Sequence, residues 1–430
     1  MSFLFRLLRI RPGELPGLIG GFLYFFCLMC SYYVLRPVRD EMGVRSGVEN
    51  LQWLFTGTFV AMLLAVPAFA VLAARFPRNR LIPVVYGAFI ACILGFWVWL
   101  RSDVALEWAA RTFFVWLSVF NLFVVSVFWS FMADLFDEEQ AGRLFGAIAA
   151  GGSLGAIVGP ALTGLLAQRM DPSGLLPLAA GVLALALPCM WGLDRWSHRR
   201  RDGRGSRGTE RPLGGNVLEG VGAVMRSRYL LGICGFIWLY TTVATFLYFI
   251  QADIVERTFA DTGDRTSAFA AMDFGTNVLT VGAQLLVTAR LVQHLGLGRA
   301  LALVPVLVAG GFLVLAATPV FVVLATFQVV RRAGNYAVAR PGREMLFTVL
   351  PRMQKYKSKN FIDTVVYRGG DAVAGWVYAG LASLGLGVAG VSIAAVPLAL
   401  AWAVLGHRLG TWQRAKRQEV HDEQAAQAAR

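Results

Sequence analysis

Ionisable side chains embedded in apolar sequence carry the chemistry available to this 430-residue chain. The densest set lies in and around Val338–Gly380. An apolar run ends in Arg331-Arg332, and the next segment carries Arg340, Arg343, Arg352, Lys355, Lys357 and Lys359. Apolar sequence then resumes with Asp363, Arg368 and Asp371 still attached. Such groups are expensive in hydrocarbon and persist where they face a partner or a water-filled path. Arg368 and Asp371, at i and i+3 on one helix face, are either a structural pair or part of a binding site. The cations before them, with Arg343, Lys355, Lys357 and Lys359 at the centre, form an entrance for an anion or a contact with lipid headgroups.

Three further places carry charge. In SYYVLRPVRDEMG, Tyr32, Arg36, Arg39 and Asp40 share a face around Pro37. A helix ending at Leu35 would leave them interfacial; one continuing through the proline would make them a gate or a phosphate-contacting group. Arginine suits the second role, because its planar fork matches phosphate oxygens bidentately. Asp134 follows Ser126 and Ser130 on one stripe near a span end, where it is either solvated or paired with Arg143. Asp273 sits beside Asn277 about a turn into the eighth apolar span, either interfacial or able to carry a proton.

The elements that position these groups follow from composition. The chain is 57% hydrophobic and 15% charged, where a soluble domain carries roughly a quarter charged residues. Apolar runs of ~20 residues are each long enough to cross a ~30 Å hydrocarbon layer. Twelve are predicted: 17–41, 51–74, 81–100, 112–136, 144–168, 175–193, 229–252, 269–289, 299–317, 319–339, 361–385 and 388–406. The expected fold is an all-α membrane protein of two six-helix bundles, 1–193 and 229–406. A basic, glycine-rich linker (194–228) joins them and a polar tail (407–430) follows. Of the 40 Lys and Arg, 29 fall on the side of the termini and 8 on the other, so both termini and the linker are predicted to be cytoplasmic. The short basic lead-in lacks a small-residue cleavage site and reads as no signal peptide.

The net charge of +14 is therefore a topology signal, and no nucleic-acid-binding motif accompanies it. Cys27 and Cys30 form a mid-span C-x-x-C that reads as packing, and no metal site is expected. None of the four histidines resembles a catalytic base, and there is no nucleophile–base set or phosphate-cradling glycine loop. Neither an enzyme, an ATP-driven pump nor a cofactor is expected. Gly151, Gly155 and Gly159 recur every fourth residue before Pro160, spacing that permits close helix approach.

The six-plus-six plan resembles the major facilitator superfamily, and ARLVQHLGLGRALAL is similar to its interspan loop. Gly146, Gly155, Gly159, Pro160 and Gly164 resemble the span-five motif of its drug exporters, with Thr163 where glycine is usual. A narrower resemblance, to the ATP/ADP antiporter (nucleotide translocase) family, covers most of the chain. It rests on Phe128–Gly152 (FWSFMADLFDEEQAGRLFGAIAAGG) and on Arg340–Gly375, with its Lys-x-Lys-x-Lys, Ile-Asp-x-Val and following Arg. LRPVRDEM and SAFAAMDFGTNVLT also match, placing Arg39, Asp40 and Asp273 on family motifs. The chain departs from the family in span seven, where Ala244 stands nearest the acidic position, and in having Arg39 and Arg343 in place of lysines.

The resemblance implies an antiporter exchanging nucleotides or another organic phosphate by rocker-switch alternating access. Arg36, Arg39, Asp40, Arg331, Arg332, Arg368 and Asp371 would meet the substrate. The implied setting is a bacterial inner membrane, with lipids and a small anion as partners and a monomeric protein. Two alternatives stand beside it. One is a proton-coupled facilitator of another solute, using Asp134, Asp273 or Asp371. The other is a non-transporting scaffold or receptor.

Overall fold

The structure, a computed structural model, describes residues 11, 13–75, 78–102, 104–201, 221–222, 224–286 and 288–428. The lead-in 1–10, the linker core 202–220, Arg430 and the side chains of Arg352 and Lys357 lie outside the described residues. The described chain is helical. In order it forms α1 (Leu15–Arg45), α2 (Leu51–Arg75), α3 (Arg78–Arg101), α4 (Leu106–Leu135), α5 (Glu138–Leu166), α6 (Leu175–Ala184), α7 (Ala186–Arg201) and α8 (Arg228–Thr258). There follow α9 (Thr262–Leu286), α10 (Thr288–Ala317), α11 (Phe321–Gly334), α12 (Arg340–Leu346), α13 (Arg352–Phe361), α14 (Tyr367–Ser383) and α15 (Val388–Ala428).

Among the described residues, nine segments are long and apolar enough to cross a membrane. Three expected spans fall outside that set for visible reasons. Asp273, Asn277 and Gln284 dilute α9, while π-helical turns at Asn335–Ala339 and Ile362–Val366 cut α11 and α14 to 14 and 17 residues. Six described helices run through a proline, including α1 at Pro37 and α5 at Pro160. Each proline removes one backbone hydrogen bond, a loss that packed membrane helices absorb. The expected twelfth span and polar tail are one 41-residue helix, α15, about 60 Å long at 1.5 Å per residue.

Two compact units are present. The first comprises the described residues of Met1–Gly47, Val60–Arg211 and Phe259–Asn277. Its core is aromatic: Phe25 stacks on Phe128 at 4.3 Å, and Tyr24 donates a hydrogen bond to the Tyr86 hydroxyl at 2.7 Å. The α5 start is fixed by a capping box, in which Asp137 accepts from the Gln140 amide (2.8 Å) and Gln140 accepts from the Asp137 amide (3.2 Å). Immediately before α1, Glu14 meets Arg143 of α5 at 2.9 Å. That hydrogen bond, reinforced by Arg11 and Gln140, holds the buried Glu14 carboxyl down to about 2 against the opposing effect of burial.

The predicted close approach is made between α5 and α1. A Cβ on Gly155 would lie 2.5 Å from the Phe26 carbonyl oxygen and 2.8 Å from the Cys30 nitrogen. Gly151 and Gly159 extend the same stripe, and Pro160 is buried beside it. One turn further, Thr163 donates to the Val34 carbonyl at 3.2 Å. A hydroxyl thus replaces the usual glycine with a helix-to-helix hydrogen bond. The first half of α9 packs on the same helix: Ser267 donates to Gly164 O (3.0 Å) and Asn277 to Ala156 O (2.7 Å).

The second unit comprises the described residues of Val48–Phe59, Pro212–Thr258 and Val278–Arg430. Here α10 and α15 approach most closely, at Gly298 and Gly410. Trp402 is buried between Phe236 and Tyr240. The first turns of α2 belong to this unit. Phe55 meets Tyr248 and Phe249, and Trp376 donates to Thr56 at 3.1 Å.

Candidate functional site

Each unit holds a polar cluster along its helices. In the first, the continuation of α1 through Pro37 to Arg45 removes the interfacial reading of Arg36, Arg39 and Asp40, since all three lie within the helix. Arg39 is fastened to α4. Its Nε donates to Phe114 O (3.1 Å) and Nη2 to Ser118 (3.3 Å), its guanidinium lies 3.7 Å from the Phe114 ring centroid, and Asp40 pairs with it at 3.2 Å. Arg36 points elsewhere and meets Asp273 at 3.4 Å.

Asp273 corrects the sequence reading. Its helix begins at Thr262, so it lies three turns inside, and it is 1% exposed. It is thus a buried residue well inside its helix, not an end residue; the apolar-run estimate started the span at 269 because Asp264 and Arg265 precede it. Asp134 lies at the exposed end of α4. Arg143, its suggested partner, is bound to Glu14.

The second cluster sits where α8, α11 and α14 meet. Arg331 donates from Nε (3.2 Å) and Nη2 (2.9 Å) to Gln328 Oε1, and the Gln328 amide in turn donates to Gln251 of α8. Arg332 turns away and is buried, as adjacent helix positions must diverge. On the π-turn, Asn335 donates to the Tyr240 hydroxyl at 3.0 Å, and Tyr240 lies 5.9 Å from the Tyr367 ring. π-turns are rare and concentrate at functional sites. Arg368 pairs with Asp371 at 3.6 Å, and Thr245 donates to the same carboxylate at 3.3 Å. Thr241 and Thr242 bond the Trp238 carbonyl of their own helix, the ordinary behaviour of hydroxyls in such helices.

Several residues of this cluster escaped the sequence reading: Gln251, Gln328, Asn335 and Tyr367. Two glutamines within apolar runs were the available signal, since an amide there requires a partner. The cationic segment is also more tied than its composition indicates. Arg343 pairs with Asp363 (3.4 Å) and Glu344 (3.6 Å), and Lys359 binds Glu344. Burial opposes ionisation of Glu344, but Lys359, Arg343 and Arg340 together hold its carboxyl below the usual range. Lys355 is half-buried, and the Lys357 side chain lies outside the described residues.

The sequence profile described as Major Facilitator Superfamily matches residues 17–337. The chain belongs to that superfamily. This facilitator is 22% identical over 443 residues to ADP,ATP carrier protein 1 of Chlamydia trachomatis serovar D, covering 86% of the chain and 83% of the relative. The protein of the same name from Chlamydia pneumoniae is 21% identical, covering 86% and 85%. In fold it is similar to a POT family transporter in complex with a thioalcohol-conjugated peptide (TM-score 0.66, 12% identity, covering 90% of this chain and 95% of that one). It is also similar to the nucleoside transporter NupG (TM-score 0.61, 13% identity, 94% and 99%). The facilitator is thus a multi-pass membrane protein of a transporter family.

Proposed function

We propose that this facilitator is a secondary transporter exchanging nucleotides or another phosphorylated organic anion by alternating access. The observation that carries the reading is Arg331, presented on a partly exposed polar face together with Arg368, Tyr240 and Asn335. The hydrogen bonds to Gln328 use two of the five N–H donors of Arg331. The likeness to ADP,ATP carriers over 86% of the chain supports the choice of anion. In this reading Arg331 and Arg368, with Asp371, are the substrate contacts of the second unit, and loading with anion relieves repulsion between these two arginines. Exchange follows, because an empty carrier reorients against that repulsion.

Counter-flow tests the proposal. Proteoliposomes loaded with unlabelled ATP should take up external labelled ADP at least about tenfold faster than empty ones. Uptake indifferent to internal nucleotide but driven by an imposed pH gradient would replace this reading with proton coupling. The buried Asp273 against Arg36 favours that second mechanism, since a carboxylate losing its charge there would release the arginine. Binding without flux of any kind would leave a receptor or scaffold.

The proposed setting is a bacterial inner membrane, as a monomer, with bundles 1–193 and 229–406 and the linker and both termini cytoplasmic. A reporter fused after Arg430 or within 203–215 should read cytoplasmic, and one placed in Asp261–Arg265 periplasmic. The reverse pattern would overturn the orientation.

A further inference from the structure

Four arginines in or beside the spans are held by carboxylates: Arg36 by Asp273, Arg39 by Asp40, Arg343 by Asp363 and Arg368 by Asp371. Arg331 is held differently. Among the described residues no carboxylate pairs with it. Its partner is the neutral amide of Gln328, three residues earlier on the same face of α11. Gln328 and Gln251, which stands behind it on α8, are 2% and 3% exposed. A buried amide costs free energy unless it is hydrogen-bonded, and aliphatic side chains would fill both places without that cost.

Arginine chemistry fixes the direction of each amide. A guanidinium donates and cannot accept, so the Gln328 atom facing it is the oxygen. The Gln328 nitrogen therefore faces α8, and the Gln251 atom that receives it is again the oxygen. The relay runs from Gln251 through Gln328 to Arg331, with a donor facing an acceptor at each step. It takes the Nε and Nη2 edge of the guanidinium. The Nη1 and Nη2 end, a second place where an arginine can meet an anion bidentately, lies beyond this contact. Helix adhesion alone explains less. Two glutamines bonded to each other would join α8 to α11 without Arg331, yet the Gln328 oxygen is turned onto the cation and takes two of its N–H groups.

We propose that Gln251 and Gln328 are positioning residues for transport, aiming Arg331 while leaving its positive charge uncancelled, so that the anionic substrate supplies the missing negative charge. A glutamate at position 328 would hold the same arginine and also neutralise it; the glutamine only holds it. Within the second unit this separates Arg331, whose charge is open, from Arg368, whose charge Asp371 already balances. The inference rests on the anion-transport reading above.

The test is Gln328→Glu in the full chain, read by melting in detergent and by counter-flow of labelled ADP into ATP-loaded proteoliposomes. Charge-assisted hydrogen bonds are the stronger kind, so the variant should melt at or above the temperature of the parent. Its KM should nevertheless rise at least about tenfold, the effect of losing one charged hydrogen bond to substrate. Gln251→Leu removes the far anchor and leaves Gln328 and Arg331 in place. It should raise KM roughly fivefold at an unchanged maximal rate, the pattern of weakened binding, and it decides the matter if the first variant does not fold. A folded variant of either kind with the KM of the parent would overturn the positioning role. A KM rise in Gln328→Glu that comes only with a lower melting temperature would overturn it too, leaving plain helix adhesion. If Arg331→Leu still abolishes counter-flow in those cases, the anion reading survives without the relay. A parent protein that exchanges no ADP would overturn both together.

Discussion

Replacing Gly155 with leucine destabilises the protein by at least about 3 kcal/mol, measured as the loss of folded protein in a detergent thermal or denaturant melt. The first atom of any side chain there would sit 2.5 Å from one α1 backbone atom and 2.8 Å from another. Backbone cannot rotate aside as a side chain can, so α1 and α5 must separate along the Gly151–Gly155–Gly159 stripe. That separation also strains the Thr163 hydrogen bond to Val34 one turn beyond. The control is Gly146→Leu on the same helix, where nothing lies within 4 Å of the new Cβ; it should change stability by no more than about 0.5 kcal/mol. Equal melting of the two variants would mean that the stripe does not carry the contact.

The second large effect concerns Arg368 and Asp371. Removing either partner alone leaves a charge in a polar but partly closed surface, and folding should suffer. The double variant Arg368→Leu with Asp371→Leu should recover folding. Thr245 can then return its hydroxyl to a carbonyl of its own helix, as Thr241 and Thr242 already do. Transport should nevertheless fall roughly 30- to 150-fold, the equivalent of about 2–3 kcal/mol for a charged hydrogen bond to substrate. A folded, fully active double variant would make the pair purely structural. Arg331 would then remain as the candidate cation of α11, because Arg332 is buried against the protein.

Much of the architecture was legible in the chain itself. Apolar runs of membrane length, their spacing and the four-residue glycine repeat are local patterns, and a helix obeys local periodicity wherever it is placed. Superfamily membership was legible for the same reason: the six-plus-six order of apolar runs is set along the chain regardless of packing. The charged candidates were legible as outliers against hydrocarbon.

What each charge meets was decided by tertiary structure. Arg36 and Asp273 are 237 positions apart, and no periodicity links them; they meet because the first half of α9 packs on α5 beside α1. Whether Pro37 ended α1 or was absorbed depended on packing around the lost hydrogen bond, a quantity absent from the local pattern. The start of α9 at Thr262 turned Asp273 from an end residue into a buried one, because helical backbone extends past the point where hydropathy falls. Arg331 and Arg332 are identical in sequence context, and only the position of Gln328 and α8 separates a half-exposed cation from a buried one. Sequence by itself determined which residues were costly in a membrane. The fold decided their partners, because ion pairs and hydrogen bonds between helices depend on distances that only packing sets.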